Sequence, residues 1–167
     1  MSRAFVSEDR HEEPLFVPPR APLPEGVINY VTKDGLLELQ EELKEWEDKL
    51  QNLSKTQKDE GEYRREANFI NDSMSLLRSR LASAVVSFPL EEFMSEVRFA
   101  AIVDLKIGNA AKQTLQVVGV DEADVKKKKI AFTSPLARAI LGKKEGETAT
   151  LNLGVESRLV RILQIRY

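Results

Sequence analysis

The sequence predicts an α+β fold: an antiparallel coiled-coil hairpin followed by an antiparallel β-sheet domain with one short helix. Three observations lead there. Two heptad-spaced apolar series between residues 36 and 84 mirror one another. Beyond residue 96 the apolar period shortens to the alternation of strands. Within that second region only SPLARAILGK carries the start and stop signals of a helix.

Residues 1–31 hold five of the seven prolines, at Pro14, Pro18, Pro19, Pro22 and Pro24. Proline fixes φ and lacks an amide donor, so neither a helix nor an interior strand is expected. The segment reads as a flexible, partly polyproline-like arm that packs through Phe5, Leu15, Phe16 or Val17.

The hairpin is expected over residues 32–87. Thr32 supplies an N-cap and Asp34 an acid in the first turn. Leu36, Leu39, Leu43, Trp46, Leu50 and Leu53 then recur at heptad spacing, as do Tyr63, Ala67, Ile70, Met74, Leu77, Leu81 and Ala84. A mirror at residue 60 pairs Leu36 with Ala84, Leu39 with Leu81, Leu43 with Leu77, Trp46 with Met74, Leu50 with Ile70 and Leu53 with Ala67. Gly61 beside that centre suits a turn, which places the apex near 59–62. Each arm would reach roughly 35 Å at about 1.5 Å per residue. Ser87-Phe88-Pro89 ends the second helix, because a residue before proline disfavours helix.

Residues 88–167 form the second domain. Strands are expected at 97–107, 114–120, 130–133, 148–153 and 158–166. Ser134 caps the short helix, Pro135 fits its first turn and Gly142 its end.

Composition narrows the chemistry. The chain of 167 residues has no cysteine, which excludes disulfides and thiolate metal sites. Its one histidine, His11, lies in the arm, so a Ser-His-Asp mechanism lacks its base. There is no run of apolar residues long enough for a membrane span and no signal peptide, so a cytoplasmic protein is expected, without a membrane partner. Residues 1–96 carry 20 acidic and 12 basic side chains; residues 97–167 carry 7 and 13. Such asymmetry fits two surfaces with different partners, or two solvated domains of drifting composition.

Asp59, Glu60 and Glu62 crowd the expected apex, in the stretch KDEGEYRRE. No pocket surrounds them there, so they cannot form a buried acid–base pair. Inserted into another molecule, they could complete a Mg²⁺ site whose other ligands lie elsewhere. The other reading is a polar loop that happens to be acidic.

The stretch VVGVDEADVKKKKIAFTSPLARAILGKKEGE, residues 117–147, resembles the signature of the Gre family of bacterial transcript cleavage factors. YVTKDGLLELQEEL, residues 30–43, is similar to the start of that family's first coil helix. The likeness spans about residues 30–167. It implies an FK506-binding-protein-like C-terminal domain that docks at the rim of the RNA polymerase secondary channel, with the coiled coil inside. It implies that Asp59 and Glu62 act catalytically in trans, sharing a Mg²⁺ with the polymerase as it hydrolyses backtracked RNA. The nascent RNA 3′ end is then an indirect partner, and the chain is an accessory factor, not an enzyme, working as a monomer. Asp121, Glu122, Asp124, Ser134 and Pro135 match positions implicated in docking; they equally suit turn and cap chemistry.

Two departures favour a second reading. Each coil arm is about one heptad shorter than in typical members, roughly 10 Å. The tip continues as Tyr63-Arg64-Arg65-Glu66 in place of the family's sequence. A non-cleaving regulator that occupies the channel, competing with longer cleavage factors, would tolerate both. Lys126–Lys129 reads as a basic contact to polymerase or RNA, or as a solvated turn. A prolyl isomerase rests on fold alone, since Phe99, Phe132 and Tyr167 are the only aromatics beyond residue 96, too few for an aromatic-lined pocket. A coiled-coil chaperone or adaptor would leave the C-terminal signature unexplained.

Overall fold

The computed structural model describes residues 14–55 and 59–167. Its elements run β1 (Asn29–Val31), α1 (Lys33–Leu53), α2 (Glu60–Ser83), β2 (Ala84–Val86), a 3₁₀ turn (Glu91–Phe93), β3 (Ile102–Ile107), β4 (Gln113–Val118), β5 (Lys129–Ala131), α3 (Pro135–Ile140), β6 (Thr148–Leu153) and β7 (Glu156–Arg166). The protein is α+β: a pair of long helices and a mixed five-stranded sheet.

Thr32 caps α1, its hydroxyl accepting the Gly35 amide at 2.9 Å. The first half of α1 packs with the end of α2 around Leu39, Leu77 and Val31. Its second half packs with the start of α2 around Leu53, Ile70 and Met74. The two helices are therefore antiparallel. Trp46 is a packing residue, set edge-on to Phe69 with ring centroids 5.8 Å apart.

Gly61 is not the turn residue that the spacing predicts. It lies in the first turn of α2, and the connection between the helices falls at residues 54–59. Leu53 already ends α1, and α2 begins at Glu60. Nor does α2 continue to Ser87. Ala84, Val85 and Val86 are extended, and they pair in parallel with Asn29, Tyr30 and Val31. Two β-branched valines favour that ladder over another helical turn. Parallel strands need a crossover; here both helices together supply it. Asn29, which follows the last arm proline, fixes the end of α2 by donating from Nδ2 to the Arg80 carbonyl at 3.0 Å.

The large sheet has the order β5-β4-β3-β7-β6. It is mixed rather than antiparallel, because β5 runs parallel to β4 after loop 119–128 carries the chain back. The strand expected from residue 97 begins only at Ile102. Ala100 holds a left-handed backbone (φ 70°) and Ala101 closes a turn on the Arg98 carbonyl, so regular extended structure is broken there, although the Ala100 amide and the Ala101 carbonyl still bond to Val117 of β4. Val103 and Leu105 of β3, Val117 of β4, Ala149 and Leu151 of β6, and Val160 and Ile162 of β7 make the core with Ala137 and Ile140 of α3.

On the opposite face Asp104 is almost wholly covered. Long polar side chains close over it: Arg166 at 3.0 Å, Lys112 at 2.8 Å and the Thr114 hydroxyl at 2.7 Å. The Arg166 guanidinium above all, then Lys112 and Thr114, hold its carboxyl far below the usual range against the opposing effect of desolvation.

Candidate functional site

The apex of the helical pair is built from caps. Ser54 closes α1, its hydroxyl donating to the Gln51 carbonyl at 2.7 Å. Asp59 opens α2: it is extended (φ −66°, ψ 161°), and its Oδ1 accepts the Glu62 amide at 2.8 Å. The Asp-x-x-Glu spacing thus has a local cause, an N-cap and the third residue of a helix. Glu60 and Glu62 lie in the same first turn, where the helix dipole favours negative charge. Glu60 Oε1 also accepts from Arg64 Nη2 at 2.7 Å, one turn on. Asp59, Glu60 and Glu62 are all exposed.

These carboxylates do not form a metal centre by themselves: among the described residues no group of three or more His, Cys, Asp or Glu side chains could hold an ion. The donor set suits an ion shared with a partner. Hard oxygen ligands, one or two per protein, are what Mg²⁺ takes while keeping the rest of its shell. Asp59 spends one oxygen on the cap, and a carboxylate has further lone pairs to offer.

The second group of predicted residues divides: Asp121 and Glu122 lie where the helical pair meets the sheet domain, whereas Asp124, Ser134 and Pro135 serve their own loop and helix. Glu122 is buried. Its Oε1 accepts the Thr32 amide at 2.8 Å and the Gly119 amide at 3.2 Å, and its Oε2 accepts the Thr32 hydroxyl at 2.5 Å. Two glycines leave room for it. A Cβ on Gly35 would stand 2.0 Å from Glu122 Cδ, and one on Gly119 would stand 2.8 Å from Glu122 Oε1 and 2.5 Å from the Tyr30 carbonyl.

Asp121, with 2% of its side chain exposed, takes the Arg20 Nε at 2.8 Å. Arg80 Nε lies 3.1 Å from its other oxygen, an off-axis contact that is Coulombic rather than a straight hydrogen bond. Asp124 folds its own loop: Oδ1 accepts the Lys126 amide at 2.8 Å, and its backbone bridges to Lys129. Ser134 caps α3 through the Ala137 amide at 3.3 Å, and exposed Pro135 begins that helix. The basic run divides too. Lys126, Lys127 and Lys128 are exposed, whereas Lys129 lies 3.4 Å from Glu38.

Sequence reasoning missed Arg20 and Arg80. Arg20 was signalled only as the lone cation in the stretch of arm from Pro14 to Gly26. It also undercounted aromatics. Tyr30, from β1, lies against both Phe99 and Phe132 at 5.9 and 6.0 Å, beside a cavity of about 330 Å³ that Phe88 and Phe93 also line. Much of that aromatic surface joins the two parts of the molecule. Tyr167 lies elsewhere, donating its hydroxyl to the Glu96 carbonyl at 2.5 Å. His11 and Phe5 fall outside the described residues.

Residues 92–167 match the family described as "Transcription elongation factor, GreA/GreB, C-term". GreA of Alkalilimnicola ehrlichii is 34% identical over 115 residues, which cover 66% of this chain and 73% of that protein. The chain belongs to the GreA/GreB family. Family resemblance extends to GreA of Hyphomonas neptunium, 39% identical over 101 residues (60% of this chain, 64% of that one), and to GreB of Neisseria meningitidis serogroup A, 37% identical over 99 residues (59% and 61%). The matches thus span a little under two thirds of those last two relatives. The solved GreA factor homolog 1 (Gfh1) of Thermus thermophilus aligns over 83% of this chain and 98% of its own, at 24% identity and a TM-score of 0.39. Across the described residues no helix is long and apolar enough to cross a membrane.

Proposed function

We propose that this chain is an RNA polymerase-binding elongation factor whose helical pair, a short coiled coil, enters the secondary channel and offers carboxylates at its tip for Mg²⁺-dependent cleavage of backtracked RNA. The family of its C-terminal half supports this role. The observation that carries the site is the placement of exposed Asp59 and Glu62 at the far end of two packed helices. The FK506-binding-protein-like sheet domain would dock at the channel rim, where Asp124, Pro135 and the exposed lysines are accessible. The chain would act in the cytoplasm as an accessory to the polymerase and hold no active site of its own.

In that complex Asp59 and Glu62 would bind one Mg²⁺ together with ligands of the polymerase. Such an ion supplies Lewis acidity and an acidified water for phosphodiester hydrolysis. The chain's own contribution is positional: the cap fixes Asp59 relative to Glu62, and the helices hold both away from the sheet domain.

Two observations favour a non-cleaving occupant of the channel. The N-cap role accounts for Asp59 without any metal, and α1 is only 21 residues long, about 31 Å.

A cleavage assay on backtracked complexes separates the two. Asp59→Ala would confuse lost chemistry with a lost cap, whereas Asp59→Asn keeps the cap and removes the charge. Stimulated cleavage by the parent, lost in Asp59→Asn and in Glu62→Gln with polymerase binding retained, is the expected result. Binding without cleavage by the parent would select the non-cleaving reading.

A further inference from the structure

The arm between Pro14 and Ile28 contains no helix or strand, so no backbone ladder holds it in place. One of its side chains bonds to both parts of the molecule. The Arg20 guanidinium makes a two-pronged bond to Glu42 of α1, with Nη1 to Oε1 at 2.8 Å and Nη2 to Oε2 at 3.0 Å. The same group gives its Nε to Asp121 of the β4–β5 loop at 2.8 Å. Burial pulls the Arg20 pKa down, but the bonds to Glu42 and Asp121 outweigh it and the net direction is up. Arg80 of α2 completes a neutral set of two cations and two anions, and it also donates to the Ala21 carbonyl of the arm.

The joint needs such a fastening. The helices and the large sheet share no extensive packed face. Glu122 ties the start of α1 to the sheet domain at Thr32, and Tyr30 nearby packs on Phe99 and Phe132 of that domain. Attachments confined to the foot of the helical pair leave its direction free to pivot. Glu42 stands ten residues beyond Thr32, about 15 Å along the axis at 1.5 Å per residue. A second attachment at that distance fixes direction as well as position. The remaining link alongside, Lys129 to Glu38 at 3.4 Å, is a partly exposed pair of the kind that contributes little. The prolines suit the task, since Pro18, Pro19, Pro22 and Pro24 pre-extend the segment and lower the entropy lost when it is laid down.

We propose that the proline-rich arm is an intramolecular strap: by gripping Glu42 and Asp121 together, Arg20 sets the angle between the helical pair and the sheet domain. When that grip is lost the two parts sample a range of angles about the Thr32–Glu122 contact. A partner that engages both parts would then bind more weakly, in proportion to the fraction of molecules holding the competent angle.

The chain lacks cysteine, so two introduced thiols carry spin labels without side reactions. Exposed Asn71 of α2 and exposed Thr150 of β6 are suitable sites, as Asn71→Cys and Thr150→Cys in the full chain. Pulsed dipolar spectroscopy on this pair should give one narrow distance peak in the parent. The peak should broaden or shift in Arg20→Ala and again in Glu42→Gln, with helical content by circular dichroism unchanged. Should Arg20→Ala lose helical content, Glu42→Gln, which preserves shape, decides alone. A distribution identical to the parent's in the folded variants overturns the strap.

Discussion

Glu122 and Thr32 are held together by two bonds, the Thr32 amide and hydroxyl both donating to one buried carboxylate at 2.8 and 2.5 Å. The same hydroxyl accepts the Gly35 amide, so the cap of α1 and the loop after β4 form one unit. Glu122→Ala strands these donors and should cost about 1–3 kcal/mol, read as a fall in Tm. Gly35→Ala should cost a similar or larger amount, because its Cβ would overlap Glu122 Cδ. In the double variant the obstacle is gone, and alanine's helix propensity, about 1 kcal/mol better than glycine's, should show. A cycle of the four proteins should therefore be strongly non-additive.

Asp59 carries a cap whatever else it does. Asp59→Ala should lower stability by about 1 kcal/mol, whereas Asp59→Asn should change it by a few tenths at most. Thermal melts followed at 222 nm test this without any polymerase.

Asp104 gives the sheet domain an acid limit. Its carboxyl titrates below the ordinary value because Arg166, Lys112 and Thr114 stabilise the ionised form. A group whose folded pKa is depressed adds stability above its unfolded pKa of about 3.9 and loses it as pH falls from there towards the folded value. The parent should therefore melt above Asp104→Asn near neutral pH, and the gap should narrow steadily below about pH 4. A gap that stays constant to pH 2 would contradict the assignment.

Ser134 separates folding from docking. Ser134→Asp preserves the cap of α3, and Ser134→Ala removes it at a cost of about 1 kcal/mol. If polymerase reads this position, Ser134→Asp should weaken binding at unchanged Tm. If the residue only caps α3, Ser134→Asp should bind as the parent does.

The helices, the five main strands and α3 were legible because each shows in a local pattern. The spacing of Leu39, Leu53, Ile70, Met74 and Leu77 needs only a helix to become a buried stripe. Ser134-Pro135 needs only its own amides. Long-range pairings were not legible. Nothing near Ala84 announces that Asn29 lies beside it, and the three extended residues at each site are too short for a strand signal. The parallel placing of β5 depends on how loop 119–128 doubles back. Asp121 and Glu122 show the limit most clearly. A pattern picks them out, yet only the fold reveals that both turn inward, onto Arg20 and onto Thr32. At the apex the spacing of Asp59 and Glu62 was visible, but not that Gly61 serves the helix rather than the turn.

The parallel ladder of β1 and β2 has a mechanical consequence. Both feet of the helical stalk are stitched to each other, Asn29 to Ala84 and Val31 to Val86, so neither helix can be tugged without the other. A sideways push at the tip therefore arrives as torque at the foot of the stalk, where it passes through Thr32 into the loop of Glu122 and is opposed further up by Arg20 on Glu42. The stalk works as a lever whose short end rests on the sheet domain through Tyr30 and Thr32.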